Sequence, residues 1–416
     1  IDASPADRHN VTVGENVTTE VLMPSPTAVS NMARSVVERV RQVVGDRTGF
    51  TPLHAPTLGG NAWTYVKECI DTGWVSSAGT YVTRFEEACA QFTGSRHAVA
   101  TVNGTAALHL ALVAAGVGPG DEVITQALTF VATANAIHYT GAGPHFVDVD
   151  EVSLGMDPVR LAHRLDAVAE MRGGDCYNRQ TDRRIAAIVP MHTFGHPVNL
   201  DPLQELAGQY NLPVVEDAAE SLGSFYKGRH TGTLGRLGIL SFNGNKVIST
   251  GGGGMVLTDD EQLADEIRHC STTAKKPHPW AYHHDRIGYN YRMPNLNAAL
   301  GVSQVQMLEG LLGRKRRLAD RYAAAFEGVA GLRFLQEPGY ARSNYWLNAI
   351  LLDEASLEVR DQMLQALIDA DFQARPIWQP MHLLPMYASC PRDDLPITES
   401  LSQRVINLPS SAYLSA

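Results

Sequence analysis

The sequence predicts an α/β protein: a mostly parallel central sheet with helices on both faces, followed by a smaller C-terminal α+β unit. Three observations carry this. From about residue 95, short apolar runs alternate with amphipathic stretches. The runs are apolar at successive positions, so each is buried on both faces, as a strand in a covered parallel sheet is. From about Asn297 helical periodicity takes over, which marks a second unit.

The elements follow in chain order. His97 to Val102 reads as a strand and Ala106 to Ala115 as the helix after it. Glu122 to Thr125 is the next strand, with a helix over Val131 to Tyr139. Strands are then expected at Pro144 to Asp148, Ile185 to Val189, Leu212 to Glu216, Ile239 to Phe242 and Met255 to Thr258. Helices are expected at Pro202 to Tyr210 and Asp260 to Cys270. The polar stretch Met171 to Arg184 reads as a surface loop. The C-terminal part shows helical spacing over Ala298 to Phe326, a strand over Asn344 to Leu352 and a helix over Val359 to Ala370. No internal repeat is visible.

A chain of 416 residues suggests two domains. The expected division is a loosely held polar tail over 1–26, a large domain over 27–296 with a helical segment at its start, and a small domain over 297–416. A net charge of −10 excludes broad electrostatic binding to nucleic acid, though not a small anion held by a few arginines. The five cysteines are scattered without CxxC spacing, so neither a disulfide framework nor a zinc site is expected; a reducing cytoplasm fits. No apolar run approaches the ~20 residues of a membrane span, and no signal-peptide pattern is seen.

The chemistry-bearing residues cluster around Lys246. It ends the stretch Gly238-Ile-Leu-Ser-Phe-Asn-Gly-Asn-Lys246, just before Gly251-Gly-Gly-Gly254. Upstream, Asp217 closes the apolar run Leu212-Pro-Val-Val-Glu-Asp217. A strand-end acid followed by a lysine on a glycine-rich loop is what pyridoxal phosphate chemistry requires. The amine forms a Schiff base with the cofactor aldehyde, and the acid keeps the pyridine nitrogen protonated. Asn103-Gly104-Thr105-Ala106-Ala107, between a strand and a helix, supplies amide donors for the phosphate. Phe130 is placed to stack on the ring, and Ser241 to donate to the phosphate. Each has a plainer reading: Gly104-Thr105 as turn chemistry, Phe130 as a core aromatic, Asp217 as a helix N-cap, Ser241 bonded within the sheet, Lys246 as a solvated charge. The combination, in this order, is more telling than any member.

Asp217-Ala-Ala-Glu-Ser-Leu-Gly223, Ser241 to Lys246 and Gly288-Tyr-Asn-Tyr-Arg-Met293 resemble the DegT family of sugar aminotransferases, over about nine tenths of the chain. Gly73 to Ser77, Met191 to Pro197, Ser343 to Asn348, Arg375 to Trp378 and Ile406 to Ser411 are similar to its LegC-like branch. The resemblance implies a fold of the aspartate aminotransferase type (fold type I). It implies transfer of an amino group from L-glutamate, which leaves as 2-oxoglutarate, to C4 of a UDP-linked 4-keto-6-deoxy-N-acetylhexosamine, with pyridoxamine phosphate as intermediate, in making amino sugars for surface glycans. Lys246 is then the Schiff-base lysine, Asp217 the partner of the pyridine nitrogen, Phe130 the stacking ring, and Gly104, Thr105 and Ser241 the phosphate contacts. Asn290 matches an asparagine that reaches the phosphate of a neighbouring subunit, which implies a homodimer with shared active sites. Glu220 departs from the glutamine or histidine that many members place near the ring hydroxyl; a carboxylate there is either protonated or repels a phenolate. Arg292, Arg375 and His382 are the substrate-side candidates. Two rivals remain open. One is a pyridoxamine phosphate-dependent sugar dehydratase, whose family members carry histidine in place of the lysine. The other is a regulator that senses sugar or cofactor without turnover.

Overall fold

The computed structural model describes residues 26–45, 47 and 49–415. The tail expected over 1–26 therefore lies outside the described residues, except that Pro26 opens a helix. The central sheet runs in the order His97–Thr101, Gly254–Thr258, Leu237–Ser241, Val215–Asp217, Arg183–Val189, Glu122–Gln126, Gly143–Val147. Gly254–Thr258 runs against the rest; the other strands are mutually parallel. The Val215–Asp217 strand joins Arg183–Val189 through single bridges, Ile188 to Val214 and Met191 to Asp217. Glu122–Gln126, Leu237–Ser241 and Gly254–Thr258 are buried along their whole length. Helices cover both faces, so the strand interiors are shielded, and among the strands just named only the starts at His97, Gly143, Arg183 and Arg184 reach solvent.

One expectation fails on this sheet. The polar stretch at 171–184 is not a loop: Ala169–Arg172 and Asp175–Asn178 form an antiparallel hairpin that pairs with the start of Arg183–Val189. Gly173 and Gly174 make its turn, both at positive φ (62° and 100°), as a two-residue hairpin connection requires. The hairpin is polar because Glu170, Met171 and Arg172 face solvent, so its strands lack the apolar signature used to find them.

The 32-residue helix Asn295–Phe326, about 48 Å long, runs through both parts of the molecule. Val302, Leu308, Leu311 and Leu312 share a core with Cys69, Tyr81 and Phe85 of the helices Ala62–Thr72 and Thr80–Thr93. Further along, Leu318, Tyr322 and Phe326 pack with Val29, Val36, Val40 and Val43 of the helix Pro26–Val44. The boundary expected at 296/297 thus falls inside the first turn of one continuous helix. The N-terminal helix, expected with the large unit, buries its valine stripe against the C-terminal residues instead. Each buried valine contributes about 1.5–2 kcal/mol, and this packing partner decides where the helix belongs.

The C-terminal sheet is antiparallel, in the order Leu332–Phe334, Asn348–Leu352, Val405–Leu408, Arg375–Pro376. The strand expected from Asn344 starts only at Asn348. Tyr345 has φ 49°, which turns the chain before pairing begins. Among the described residues no helix is long and apolar enough to cross a membrane.

Candidate active site

The carboxyl ends of the parallel strands open onto a cleft of about 820 Å³. This is the edge at which open α/β sheets hold ligands. Asp217, Ser241, Lys246, Gly104, Thr105, Phe130 and Glu220 all line it, and the C-terminal unit closes it with Trp346, Gln373, Arg375 and Trp378.

Asp217 ends its strand at the floor of the cleft and is buried. Oδ2 accepts from the Thr133 hydroxyl at 2.7 Å and Oδ1 from the Ala219 amide at 3.2 Å. Residues 218–223 form turns, so no helix follows for Asp217 to cap. Burial pushes its carboxyl above the ordinary range, against the pull of Thr133, Ala219 and Lys246. A cationic ring opposite would favour the charged form.

Lys246 is not a surface charge: its side chain is 13% exposed. Nζ lies 3.3 Å from Glu220 Oε1 and 3.9 Å from the centroid of the Trp346 ring. Glu220 is buried, and its other oxygen accepts from the Phe194 amide at 2.9 Å. Burial pushes Glu220 up to about 7, with Lys246 pulling the other way. Of the alternatives left open by the sequence, burial favours the protonated carboxyl and the Lys246 amine opposes it.

The loop that supplies the Phe194 amide is strained. Phe194 has φ 55° and Gly195 φ 95°. A bulky residue in the left-handed region costs about 1–3 kcal/mol and persists only when its surroundings hold it. Gly195 is obligatory: a Cβ there would lie 1.9 Å from Asn344 Oδ1.

The other wall is the start of the helix Gly104–Ala114. Asn103 caps it, with Oδ1 accepting from the Ala106 amide at 2.7 Å. The Ala107 amide bonds the Asn103 carbonyl, so Gly104 and Thr105 keep the amide donors that a helix start leaves unpaired. A Cβ on Gly104 would sit 2.9 Å from Ser241 Cβ, so glycine lets the cradle close on Ser241. Among the described residues the Ser241 hydroxyl makes no hydrogen bond to the sheet. Phe130 is 47% exposed and faces the cleft 6.3 Å from the Trp378 ring; it is not a core residue.

The substrate-side candidates divide. Arg375 is exposed and lines the cleft. Arg292 does not: it is ion-paired with Glu86 and donates to the Ala100 carbonyl at 3.2 Å, bound to the strand beside it. His382 is also outside, buried and 3.1 Å from Glu399. Both thus stand apart from this chain's own cleft, Arg292 held by Glu86 and the Ala100 carbonyl and His382 by Glu399 through Nε2, with its buried Nδ1 left without a partner among the described residues. Asn290 is exposed and lies outside this chain's own cleft.

Sequence reasoning missed Thr133, His54, Phe194 and Trp378. Thr133 carried a readable signal, since it stands three residues after Phe130 on the same helix. Phe194 and Trp378 lay inside the branch-like stretches 191–197 and 375–378 without a role assigned to them, and His54, from a distant segment that also lines the cleft, carried no signal.

A phosphate suits the free amides at 104–105, an aromatic ring suits the open face of Phe130, a ring nitrogen suits the buried acid, and an aldehyde suits the amine. These residues fit pyridoxal phosphate. Fold and site together define a pyridoxal phosphate enzyme of fold type I. The chain belongs to the DegT/DnrJ/EryC1/StrS aminotransferase family, whose model matches residues 56–416. It is 39% identical to the GDP-perosamine synthase of Caulobacter vibrioides over 364 residues, 87% of this chain and 93% of that protein. The aminotransferase TlmJ from Streptoalloteichus hindustanus superposes with a TM-score of 0.78 at 30% identity, over 87% of this chain and 94% of that one. Spr1654 from Streptococcus pneumoniae, solved in PLP and PMP forms, gives 0.77 at 26% and 25% identity respectively, over 88% of this chain and 94% of that one. The protein is accordingly a PLP-dependent sugar aminotransferase.

Proposed function

We propose that this enzyme transfers the amino group of L-glutamate to C4 of a nucleotide-linked 4-keto-6-deoxy sugar, a step toward amino sugars of surface polysaccharide, in the cytoplasm. The observation that carries it is the amine of Lys246 between Glu220 and the Trp346 ring, in one cleft with Asp217. When bound, pyridoxal phosphate supplies the electron sink that makes the amino-acid α-proton removable.

The residues of the chain do the rest. Asp217 balances the ring charge from a dry floor. Gly104, Thr105 and Ser241 hold the phosphate, and Phe130 covers one ring face. Lys246 Nζ is the base that takes the α-proton and returns it on the other side of the transfer. Glu220, with its carboxyl near neutrality, holds a proton beside that amine and avoids a fixed negative charge at the ring hydroxyl. Arg375 meets an anionic group, the donor carboxylate or the nucleotide phosphates, by charge-assisted hydrogen bonds. Asn290, exposed on its own chain, reaches the phosphate of a second copy in a homodimer.

The acceptor we favour is a UDP-linked N-acetylhexosamine, supported by the LegC-like stretches at 73–77, 191–197, 343–348, 375–378 and 406–411. A GDP-linked hexose is the second reading, supported by the identity to GDP-perosamine synthase. The presence of lysine at 246 supports transamination over dehydration. The test is incubation with glutamate and a panel of UDP- and GDP-linked 4-keto-6-deoxy sugars, with mass and proton-coupling analysis of products. Amino-sugar formed only from the UDP substrates supports the first reading. Preference for the GDP substrates overturns it in favour of the second, and deoxy-ketosugar without nitrogen overturns both.

A further inference from the structure

Residues 343–346 lie where the C-terminal unit meets the cleft, and they are held from several sides. Asn344 Nδ2 donates to the carbonyls of Glu220 and Leu222, both at 2.9 Å, and its Oδ1 accepts from the Trp346 amide at 2.7 Å. Tyr345 between them has φ 49°, a conformation that a bulky residue keeps only under constraint. The Trp346 carbonyl accepts from Lys315 Nζ at 3.1 Å, and its indole N–H donates to the Asn245 carbonyl at 2.7 Å. Lys315 is fully buried, also bonds the Ser410 carbonyl at 2.7 Å, and takes no part in the transfer. The indole is thus fixed in position, with its face 3.9 Å from Lys246 Nζ.

In a transaminase the lysine leaves the cofactor and later returns. Its amine then sits on a flexible four-carbon stem. Glu220 lies on one side of it, and Asp217, His54 and Arg375 are the other ionisable groups lining the cleft. A carboxylate can take the ammonium proton; an aromatic face cannot, yet it attracts the cation.

We propose that Trp346 is a positioning residue that receives the Lys246 side chain when it is off the cofactor and its amine has taken up a proton, and keeps it within reach of Glu220, to which the proton can pass before the amine acts again as base. This rests on Lys246 being the attachment point. The braces through Asn344 and Lys315 hold the ring for that purpose, and the Asn245 contact ties it to the residue just before the lysine.

The test uses full-length protein freed of pyridoxal phosphate, as wild type, Trp346→Phe and Trp346→Leu. A short acetic anhydride pulse is followed by peptide mass spectrometry, with exposed Lys67 as internal standard. Lys246 acetylation is expected to be roughly three- to tenfold faster in Trp346→Leu, with Trp346→Phe near wild type because it keeps a ring face. On adding the cofactor back, yellow absorbance is expected to return more slowly in Trp346→Leu, and Phe is expected to restore the rate. Equal or slower labelling in a folded Trp346→Leu overturns the proposal. Should that variant not fold, fluorinated tryptophans at 346 weaken the ring face without changing its shape. Labelling that rises with fluorine number supports the proposal, and a flat series overturns it. Borohydride mapping of the wild-type holoenzyme separates the two readings. Reduction at another lysine removes the attachment point itself, whereas reduction at Lys246 with flat labelling removes only the role of Trp346.

Discussion

The floor of the cleft and its C-terminal rim were built by different means. On the floor, Gly104, Thr105, Phe130, Asp217, Glu220, Ser241 and Lys246 come from strand ends and the turns after them, and the fold brings every one together. On the rim, Arg292, Arg375 and His382 had equal standing in the sequence, and only Arg375 reaches the cleft. Parallel strands all deliver their carboxyl ends to one edge, so a residue just past a strand is placed by topology alone. A charged residue that does not follow a parallel strand is placed by whichever partner it finds. Arg292 found Glu86 and His382 found Glu399.

The sharpest way to break this contrast is at Lys246. Lys246→Ala is expected to lower amino transfer by about 10⁴-fold, since it removes the base along with the attachment point. It is also expected to abolish borohydride-fixable cofactor. Turnover within tenfold of wild type would show that the floor is not the reacting site.

A second test concerns the odd carboxylate of the floor. The folded value of Glu220 is raised to about 7, above its unfolded value near 4.3. The folded state therefore holds the extra proton between these values. This group's contribution is fully present below about pH 4, and is lost as pH rises through 7. Glu220→Gln removes the titration. Cofactor-free Glu220→Gln is expected to gain on the order of 2 kcal/mol over wild type between pH 5 and pH 8. Urea midpoints at both pH values measure it, and parallel profiles for the two proteins would refute the assignment.

On the rim, Arg375→Ala is expected to raise KM about tenfold for the anionic partner with kcat little changed. His382→Gln is expected to leave KM unchanged and to cost less than about 1 kcal/mol, because Glu399 beside it is more than half exposed. Steady-state kinetics on the two variants decide it; equal KM effects would erase the distinction drawn between them.

What escaped the sequence has a physical pattern. The hairpin over Ala169–Asn178 was read as a loop because its outward residues are polar, though Gly173-Gly174 marked its turn. The helix Pro26–Val44 showed a valine stripe, and nothing in that stripe says which core it enters. Trp346 was visible only as part of a motif. Its nearness to Lys246 depends on a turn at Tyr345, a capping Asn344 and a lysine buried thirty-one residues upstream.

The residues alone determined the sheet class, the strand-end acid, the lysine and the glycine of the cradle. These follow from periodicity, turn chemistry and the order of elements, all of which act over a few neighbouring positions. Tertiary structure alone decided the burial that raises Glu220, the tryptophan face against the amine, and which arginine meets the cleft. Burial and pairing across hundreds of residues set those, and no local pattern records which distant side chain arrives.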